Sequence, residues 1–369
     1  GDYRTGRIGR QPIIVSHGED GQIHVLLNTC RHRGNVVCRE ERGTSNFFRC
    51  AYHGWVYKSS GALVGIAERS GYGDDFGQDI QGLVKASRMT NYRGLIFASL
   101  SRQGESLEDY LGPVKEYVDL WIDRAPGGNL RVLRPHKSAY PGNWKLQAEN
   151  GSDGYHGRYV HESAFKTAAR WQGTEARQER NTSVHGTGWT RGFPHGHNLL
   201  EKPGTRGELP PDMLRQYMDS LVARHGAERA ERIAMVRHVF IFPNVYLMDD
   251  NVRVIRPISV DHTEVDSYVT FFEDMPDAMN SARLKNLQWR LGTAGLIGTD
   301  DLEMFAGCQT GMQAAAAETV VLGRGLQREE MGVNGETVGQ SSDETPQRAI
   351  YREWARLMGK EYSSFVAER

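Results

Sequence analysis

Cys30 and His32 form a C-x-H pair and Cys50 and His53 a C-x-x-H pair, with seventeen residues between the two pairs. Thiolate and imidazole are strong ligands for zinc, copper and iron, so ligand type alone does not choose the metal. Spacing narrows it. A zinc finger of the same ligand set places its histidines together on a helix, whereas here each short loop contributes one thiolate and one imidazole and is followed closely by Gly34 or Gly54. That is the pattern of a two-iron two-sulfur centre in which two thiolates hold one iron and two histidines the other. Structural zinc is the alternative; iron and sulfide analysis with an EPR spectrum of the reduced protein separates the two. Cys38 lies between the pairs but outside both motifs and reads as a small buried hydrophobe.

A second constellation follows in "GNWKLQAENGSDGYHGRYVHES", where Asp153, His156 and His161 are spaced D-x2-H-x4-H. Two histidines with a carboxylate from elsewhere make the facial triad that leaves positions open on non-haem Fe(II). Asp153 and His156, three apart, would share a helix face, so the carboxylate can accept the imidazole's second N–H. His156 and His161 are five apart, about 140° around a regular helix. They cannot converge on one ion from an undistorted helix, so a π-type widening or a break is expected, eased by Gly154 and Gly157. "GTDDLEMFAGCQTG" supplies adjacent carboxylates, Asp300 and Asp301, at a helix start capped by Thr299. Their other reading is helix-dipole charge alone. His195 and His197 form an H-x-H that would put both rings on one strand face; a pocket or packing role is expected there, and Cys308 reads as a packed helix residue.

The elements that must position these groups fall into two regions. From Ile13 to about Leu100, runs such as "PIIVS", "IHVLLN", "NFFRC" and "GLIFASL" alternate with Gly- and charge-rich turns, the pattern of a small antiparallel β domain with the Cys and His residues in its turns. "SLEDYLGPVKEYVDLWIDRAPGG" then reads as one helix, opening on Ser106 and stopping at Pro126. The boundary is placed between Leu100 and Glu105, giving domains 1–104 and 105–369. In the second, helical "MLRQYMDSLVARHG" and "ERAERIAMVRHV" lead into strands "FIFPNVYLMD", "VRVIRPISV" and "EVDSYVTFF", so an α+β domain with an antiparallel sheet flanked by helices is expected. "REEMGVNGETVGQSSDE" reads as a mobile loop. A final helix has Thr345 as cap, Pro346 at its first position, and Ile350, Trp354 and Leu357 on one face.

"CRHRG" and "CAYHGW" resemble the Rieske domain of aromatic-ring-hydroxylating oxygenases, and "NWK...EN...D-x-x-H-x4-H" resembles their catalytic iron motif. The likeness extends over the chain through "YRTGRIGRQP", "ENGSDGYH", "FPNVYLMD", "RVIRPISV" and "TDDLEMFAGCQTG", and is nearest to the large (alpha) subunits of benzoate, toluate and anthranilate dioxygenases. Those begin some tens of residues earlier, so a truncated N-terminus is expected here, and the region after Ala314 departs from the benzoate enzymes, which leaves the particular substrate open. Rieske proteins of respiratory chains add a cysteine to each loop, where this sequence has Asn35 and Tyr52, and a hydrogen-bonding serine where it has Trp55. Fewer donors to the sulfurs imply a low-potential cluster.

The resemblance implies a [2Fe-2S] cluster on Cys30, His32, Cys50 and His53, and a mononuclear Fe(II) on His156, His161 and, of the two acids, Asp301. It implies that Asp153 also bonds His53 of a neighbouring subunit, hence a homotrimer of large subunits, with three small beta subunits. A flavin and iron–sulfur reductase, with or without a ferredoxin, would deliver electrons from NADH for hydroxylation of an aromatic ring by dioxygen, to a cis-dihydrodiol. Asn150, beside the motif, is expected in the substrate pocket, and an aromatic carboxylate is the implied substrate class, with a buried arginine to pair with it. A monooxygenase or demethylase on the same scaffold has identical metal ligands. A Rieske electron carrier without catalysis would hold two irons per chain rather than three, and a zinc-stabilised binding module none.

Composition agrees with a small-molecule partner. The 369 residues carry a formal charge of −1, which offers no electrostatic reason to expect nucleic acid or an anionic membrane. No apolar run is long enough for a membrane span and the opening residues lack a signal-peptide block, so a cytoplasmic location is expected. Four cysteines are too few for a disulfide scaffold of this size. In a reducing compartment the glycosylation-like "NTS" at Asn181 then carries no meaning.

Overall fold

Apolar residues at alternate positions of short runs pair the first hundred residues into antiparallel strands. β1 (Asp2–Ile8), β2 (Gln11–His17), β3 (Ile23–Leu27) and β4 (Arg42–Thr44) form a sheet in the order β3-β2-β1-β4. β5 (Phe47–Arg49), β6 (Val56–Lys58) and β7 (Leu63–Gly65) form a second, and β8 (Arg88–Tyr92) with β9 (Leu95–Ser99) a hairpin. Ile14, Leu26, Phe48, Trp55, Tyr57 and Leu83 pack into one core together with Cys30, Cys38 and Cys50. The two Cys/His loops therefore close over buried apolar surface, one between β3 and β4 and one between β5 and β6.

This computed structural model describes residues 1–74, 76, 82–172, 188–204, 209–292, 294–317 and 319–359; Asn181 lies outside them. The chain divides into two compact units, Gly1–Leu107 and Glu108–Arg369.

The expected single helix after Ser106 is two, α1 (Leu107–Leu111) and α2 (Val114–Ile122). Gly112 takes φ 48° and Pro113 has no N–H to continue the ladder, so the helix restarts after them. β10 (Leu130–Tyr140) opens the second unit's sheet. Helices α3 (Trp144–Asn150), α4 (Gly157–Val160) and α5 (Glu162–Gln172) follow. After β11 (Trp189–Gly192) and β12 (Asn198–Lys202), helices α6 (Pro211–His225) and α7 (Ala227–Ala234) precede β13 (Val236–Ile241), β14 (Val245–Leu247), β15 (Asn251–Ser259) and β16 (His262–Phe272). α7 stops earlier than its sequence suggests. "VRHV" belongs to the sheet, where β13 pairs with β12 and Val239 and Phe240 are fully buried; sheet burial outweighs the helical periodicity.

The remaining elements are α8 (Asp277–Leu291), α9 (Gly298–Gly311), β17 (Glu330–Met331), β18 (Thr337–Gln340) and α10 (Thr345–Leu357). Among the described residues, β10 to β18 form one antiparallel sheet in the order β10-β16-β15-β14-β13-β12-β11-β18-β17. The segment read as a mobile loop thus contributes two strands. Buried Arg348 of α10 holds it, donating to Glu329 at 3.0 Å and to the Leu322 and Arg324 carbonyls. α10 begins at Thr345 and buries Ile350 against Ala148, Phe240, Phe242 and Tyr246, but Leu357 is exposed. Cys308 is exposed on α9 rather than packed. Among the described residues no helix is long and apolar enough to cross a membrane.

His195 and His197 do not share a strand face. Pro194–Gly196 is a 3-10 turn in which His195 takes φ 59°, and this breaks the two-residue alternation. His197 is fully buried. Its Nε2–H donates to the Tyr110 carbonyl at 2.8 Å and its Nδ1 accepts the Phe242 N–H at 3.0 Å, a pair of bonds only the neutral ring can make. Burial holds its pKa down to about 4. A depressed folded-state pKa contributes stability that is present above the unfolded value of 6.5 and lost as pH falls through 4. In chemical denaturation, the stability of the unmodified protein minus that of His197→Gln should fall by about 3 kcal/mol across that window. A difference that stays flat would show that the ring is not buried neutral.

Candidate metal centres

The two Cys/His loops are built alike. The Cys30 N–H donates to the Asn35 carbonyl and the Cys50 N–H to the Trp55 carbonyl, both at 2.8 Å; the Gly34 and Gly54 N–H groups return to the Cys30 and Cys50 carbonyls. Both glycines have positive φ, 74° and 70°, where a side chain would strain the turn. The His32 and His53 rings lie 4.5 Å apart between centroids, and Trp55 stacks on His32 at 5.1 Å. The loops thus present two buried thiols and two neighbouring imidazoles from matched turns. His32 Nδ1 is buried without a hydrogen-bond partner, which fits a nitrogen kept for a metal. Cys38 is buried in the core, with its backbone N–H bonded to Asn28 Oδ1 at 2.9 Å.

The sulfurs are less bare than the sequence suggests. Tyr57, fully buried, places its hydroxyl 3.2 Å from Cys30 Sγ and accepts the Arg31 N–H at 3.0 Å. Its own hydrogen is therefore free for the sulfur, and burial pushes its pKa up, so it remains a donor. Asn35 Nδ2 approaches Cys50 Sγ at 3.7 Å. Burial alone would raise the Cys50 thiol, but backbone donors at Tyr52 and His53 and the Asn35 amide bring it below the usual range. Tyr57 has no signal in the ligand motif, because it reaches Cys30 across the core.

In the second unit, His156, His161 and Asp301 each turn one ligand atom to a common point, all within 4.8 Å of one another. Asp301 Oδ1 lies 3.2 Å from His161 Nε2 and 3.6 Å from His156 Nε2. Ligands about 2.1 Å from one ion at right angles stand about 3 Å apart, so the donor set fits a mononuclear metal after small adjustments. Each imidazole is backed on its other side by a carboxylate, with His156 Nδ1 3.4 Å from Asp153 and His161 Nδ1 3.4 Å from Asp300. Burial alone would lower the His161 pKa, but Asp301 and Asp300 raise it. Of the adjacent acids, Asp301 faces both rings and Asp300 orients one of them.

Local structure explains the convergence. The helix breaks at His161, which has φ −102° and ψ 20° between α4 and α5, so the two rings are freed from the helical angle. Asp153 is not on a helix face; it precedes α4, and its Oδ1 accepts the N–H groups of Tyr155 at 2.8 Å and His156 at 3.0 Å. Burial raises its pKa, but His156 and these N–H groups hold it below the ordinary value. Gly154 is required for space, since a Cβ there would lie 1.7 Å from the Ser341 carbonyl oxygen. Gly157 meets no such constraint. Ser152 donates to Asn198 Oδ1 at 2.6 Å and His238 Nδ1 bonds the Gly151 carbonyl at 2.8 Å, tying the turn to the sheet. Asp301 and Phe305, one turn apart, are the buried residues of α9. Thr299 does not cap that helix; its hydroxyl donates back to the Gly295 carbonyl.

Asn150 stands against the ligand atoms, its Nδ2 3.2 Å from Asp301 Oδ1 and 3.3 Å from His156 Nε2. Glu149 beside it accepts the Tyr351 hydroxyl at 2.5 Å. Burial pushes its carboxyl up to about 7 against Tyr351 and Lys145. The sequence reading missed both Glu149 and Tyr351, because the second comes from α10. A cavity of about 280 Å³ opens beside Asp301, between α3, the start of α9 and the sheet.

Two measurements check these roles. A hydrogen bond worth about 1.4 kcal/mol more to the reduced state corresponds to about 59 mV for one electron, so Tyr57→Phe should lower the cluster potential by roughly that amount in a titration followed by EPR. An unchanged potential would remove Tyr57 from the cluster's surroundings. Metal analysis should find that Asp301→Ala loses the mononuclear iron but keeps the cluster's. Asp300→Asn should bind that iron with an affinity roughly 10–100-fold lower; the reverse ranking would exchange the two roles.

Residues 1–73 match the family described as the Rieske [2Fe-2S] domain and residues 128–360 the family described as ring hydroxylating alpha subunit (catalytic domain). The chain is 36% identical over 341 residues to the 2-halobenzoate 1,2-dioxygenase large subunit of Burkholderia cepacia, covering 88% of this chain and 72% of that protein. It is 35% identical to the anthranilate 1,2-dioxygenase large subunit of Acinetobacter baylyi, with the same coverages. A solved structure of naphthalene 1,2-dioxygenase with indole in its active site matches with a TM-score of 0.85 at 26% identity, covering 96% of this chain and 83% of that one. The matched loops, the convergent donor set and these likenesses together place the chain among the alpha subunits of the Rieske ring-hydroxylating oxygenases, oxidoreductases with a [2Fe-2S] domain and a mononuclear non-haem iron catalytic domain.

Proposed function

We propose that this chain is the terminal oxygenase component that adds both atoms of dioxygen to the ring of an aromatic carboxylate, forming a cis-dihydrodiol with electrons delivered from NADH by a flavin and iron–sulfur reductase. The carrying observation is the convergence of His156, His161 and Asp301, each imidazole backed by its own carboxylate. Residues 1–104 form the electron-accepting domain, with Cys30, His32, Cys50 and His53 as cluster ligands, and residues 105–369 form the catalytic domain. When bound, the mononuclear iron supplies the dioxygen chemistry. Asp153 and Asp300 fix the orientation of the ligating rings. Asn150 borders the ligand set at the edge of the substrate site. The names of the relatives that act on halobenzoate and anthranilate support the substrate class.

Asp153 couples the two centres in this reading. Its Oδ1 takes the two backbone N–H groups and faces His156, while Oδ2 makes no hydrogen bond to any described residue. That oxygen is left to accept the N–H of His53 of a neighbouring copy in a homotrimer, which associates with a small beta subunit. Asp153→Asn should retain both metals but lower product formation by roughly 100-fold, with reduction of the cluster by the reductase unchanged. Near-normal turnover would refute the bridge. Incubation with a matched reductase, NADH, a panel of aromatic acids and isotope-labelled dioxygen should give a diol carrying two labelled atoms; one labelled atom would assign a monooxygenase instead.

A further inference from the structure

Residues directly opposite each other in antiparallel strands share a face. The register aligns Tyr246 of β14, Arg253 of β15, Ser267 of β16 and His136 of β10 in one row across the sheet. Tyr246 in that row packs on Gly151 and bonds the Ala148 carbonyl, so this face carries α3 and the iron donors. The cavity beside Asp301 lies over it, walled by His136, Gln147, Arg253, Ser267, Leu291 and Asp301 among others.

Arg253 is anomalous. It is only 9% exposed, makes no hydrogen bond or ion pair with any described residue, and its Nε is buried without a partner. Every other buried arginine among the described residues has a side-chain partner: Arg124 has Asp249 at 2.8 Å, Arg237 has Glu201, Arg283 has Thr270, and Arg348 has Glu329. An unpaired buried cation is costly, and burial holds its pKa below the ordinary value, with Asp301 the chief opposing charge. Once Asp301 is committed to a metal ion, its charge no longer serves the guanidinium. The wall then lacks an anion, and the void in front of it is at the lower edge of the ~300–1,000 Å³ typical of small-molecule pockets.

We propose that Arg253 anchors the carboxylate of a single-ring aromatic acid bound in this cavity, and so sets the enzyme's choice of acids over neutral rings. This rests on the aromatic-carboxylate reading above. The guanidinium fork matches a carboxylate bidentately and neutralises its charge, whereas a neutral amide or ester offers one carbonyl acceptor and no charge. Gln147, whose Nε2 is also buried without a partner, offers a second donor in the same wall.

The test is equilibrium dialysis of benzoate and of its neutral near-isostere benzamide against the metal-loaded oxygenase, without reductase, with iron and cluster content measured in parallel. The unmodified protein should bind benzoate roughly 100-fold more tightly than benzamide. Arg253→Met should abolish that preference by weakening benzoate alone, with iron retained; Arg253→Lys should keep the order of preference but bind benzoate about 10-fold more weakly. Should the Met variant fail to fold, the Lys variant decides. Benzoate affinity unchanged in either folded variant overturns the anchor, and loss of iron from both assigns Arg253 to Asp301 instead. An unmodified protein that binds benzoate with no Arg253-dependent preference sinks only this inference, whereas one that binds no aromatic acid sinks the substrate reading with it.

Discussion

One carboxylate oxygen, Asp301 Oδ1, is where two imidazoles from a different part of the chain have to arrive. His156 and His161 cannot reach it from a regular helix, because five residues turn through about 140°. The break at His161 removes that conflict, and the break has supports of its own. Asp153 holds the turn before α4 by accepting two backbone N–H groups, and Gly154 lets that turn press against the Ser341 carbonyl. Ser341 follows β18, so the ligand geometry depends on a strand that joins the sheet nearly two hundred residues later. Buried Arg348 and Glu329 hold that late segment in turn.

Charge is handled differently near this site than elsewhere in the catalytic unit. Buried arginines remote from it are matched to carboxylates or carbonyls, as the cost of an isolated ion in a low-dielectric interior demands. Beside the convergent donor set, Arg253 is unpaired and Glu149 is pushed toward neutrality by burial. Such groups are concentrated where a ligand or a proton is to be received. His197, by contrast, is buried neutral with both nitrogens bonded, and its work is to join Tyr110 and Phe242. Two histidine motifs of similar appearance thus serve different ends.

Much of the fold was legible because it is written in local pattern. The β-rich runs became strands, the sheet is antiparallel, and the metal motifs fall in turns and at a helix break, as their spacing requires. The misreadings share a cause. Gly112 and Pro113 interrupt a pattern whose apolar periodicity runs on through them; "VRHV" continues a helical period but is claimed by β12 and β14; and the glycine-rich segment after Arg328 has little local preference, so its strands exist only through pairing with β11 and burial of Arg348. Cys308 reads as an interior residue in the sequence, yet the helix turns Asp301 and Phe305 inward and leaves it outside.

For the sites, the sequence by itself determined the candidate donors, the placing of one cysteine with one histidine in each loop, and the need for a distorted helix, since these follow from spacing along a few residues. Spacing left the two acids equivalent, and only the family resemblance pointed to Asp301. Only the tertiary structure set Asp301 against both imidazoles and Asp300 against one, put Tyr57 on the Cys30 sulfur, and singled out Arg253 from the many arginines. Each of those depends on contacts between residues far apart in the chain, and such contacts are decided by strand register and core packing rather than by any local period.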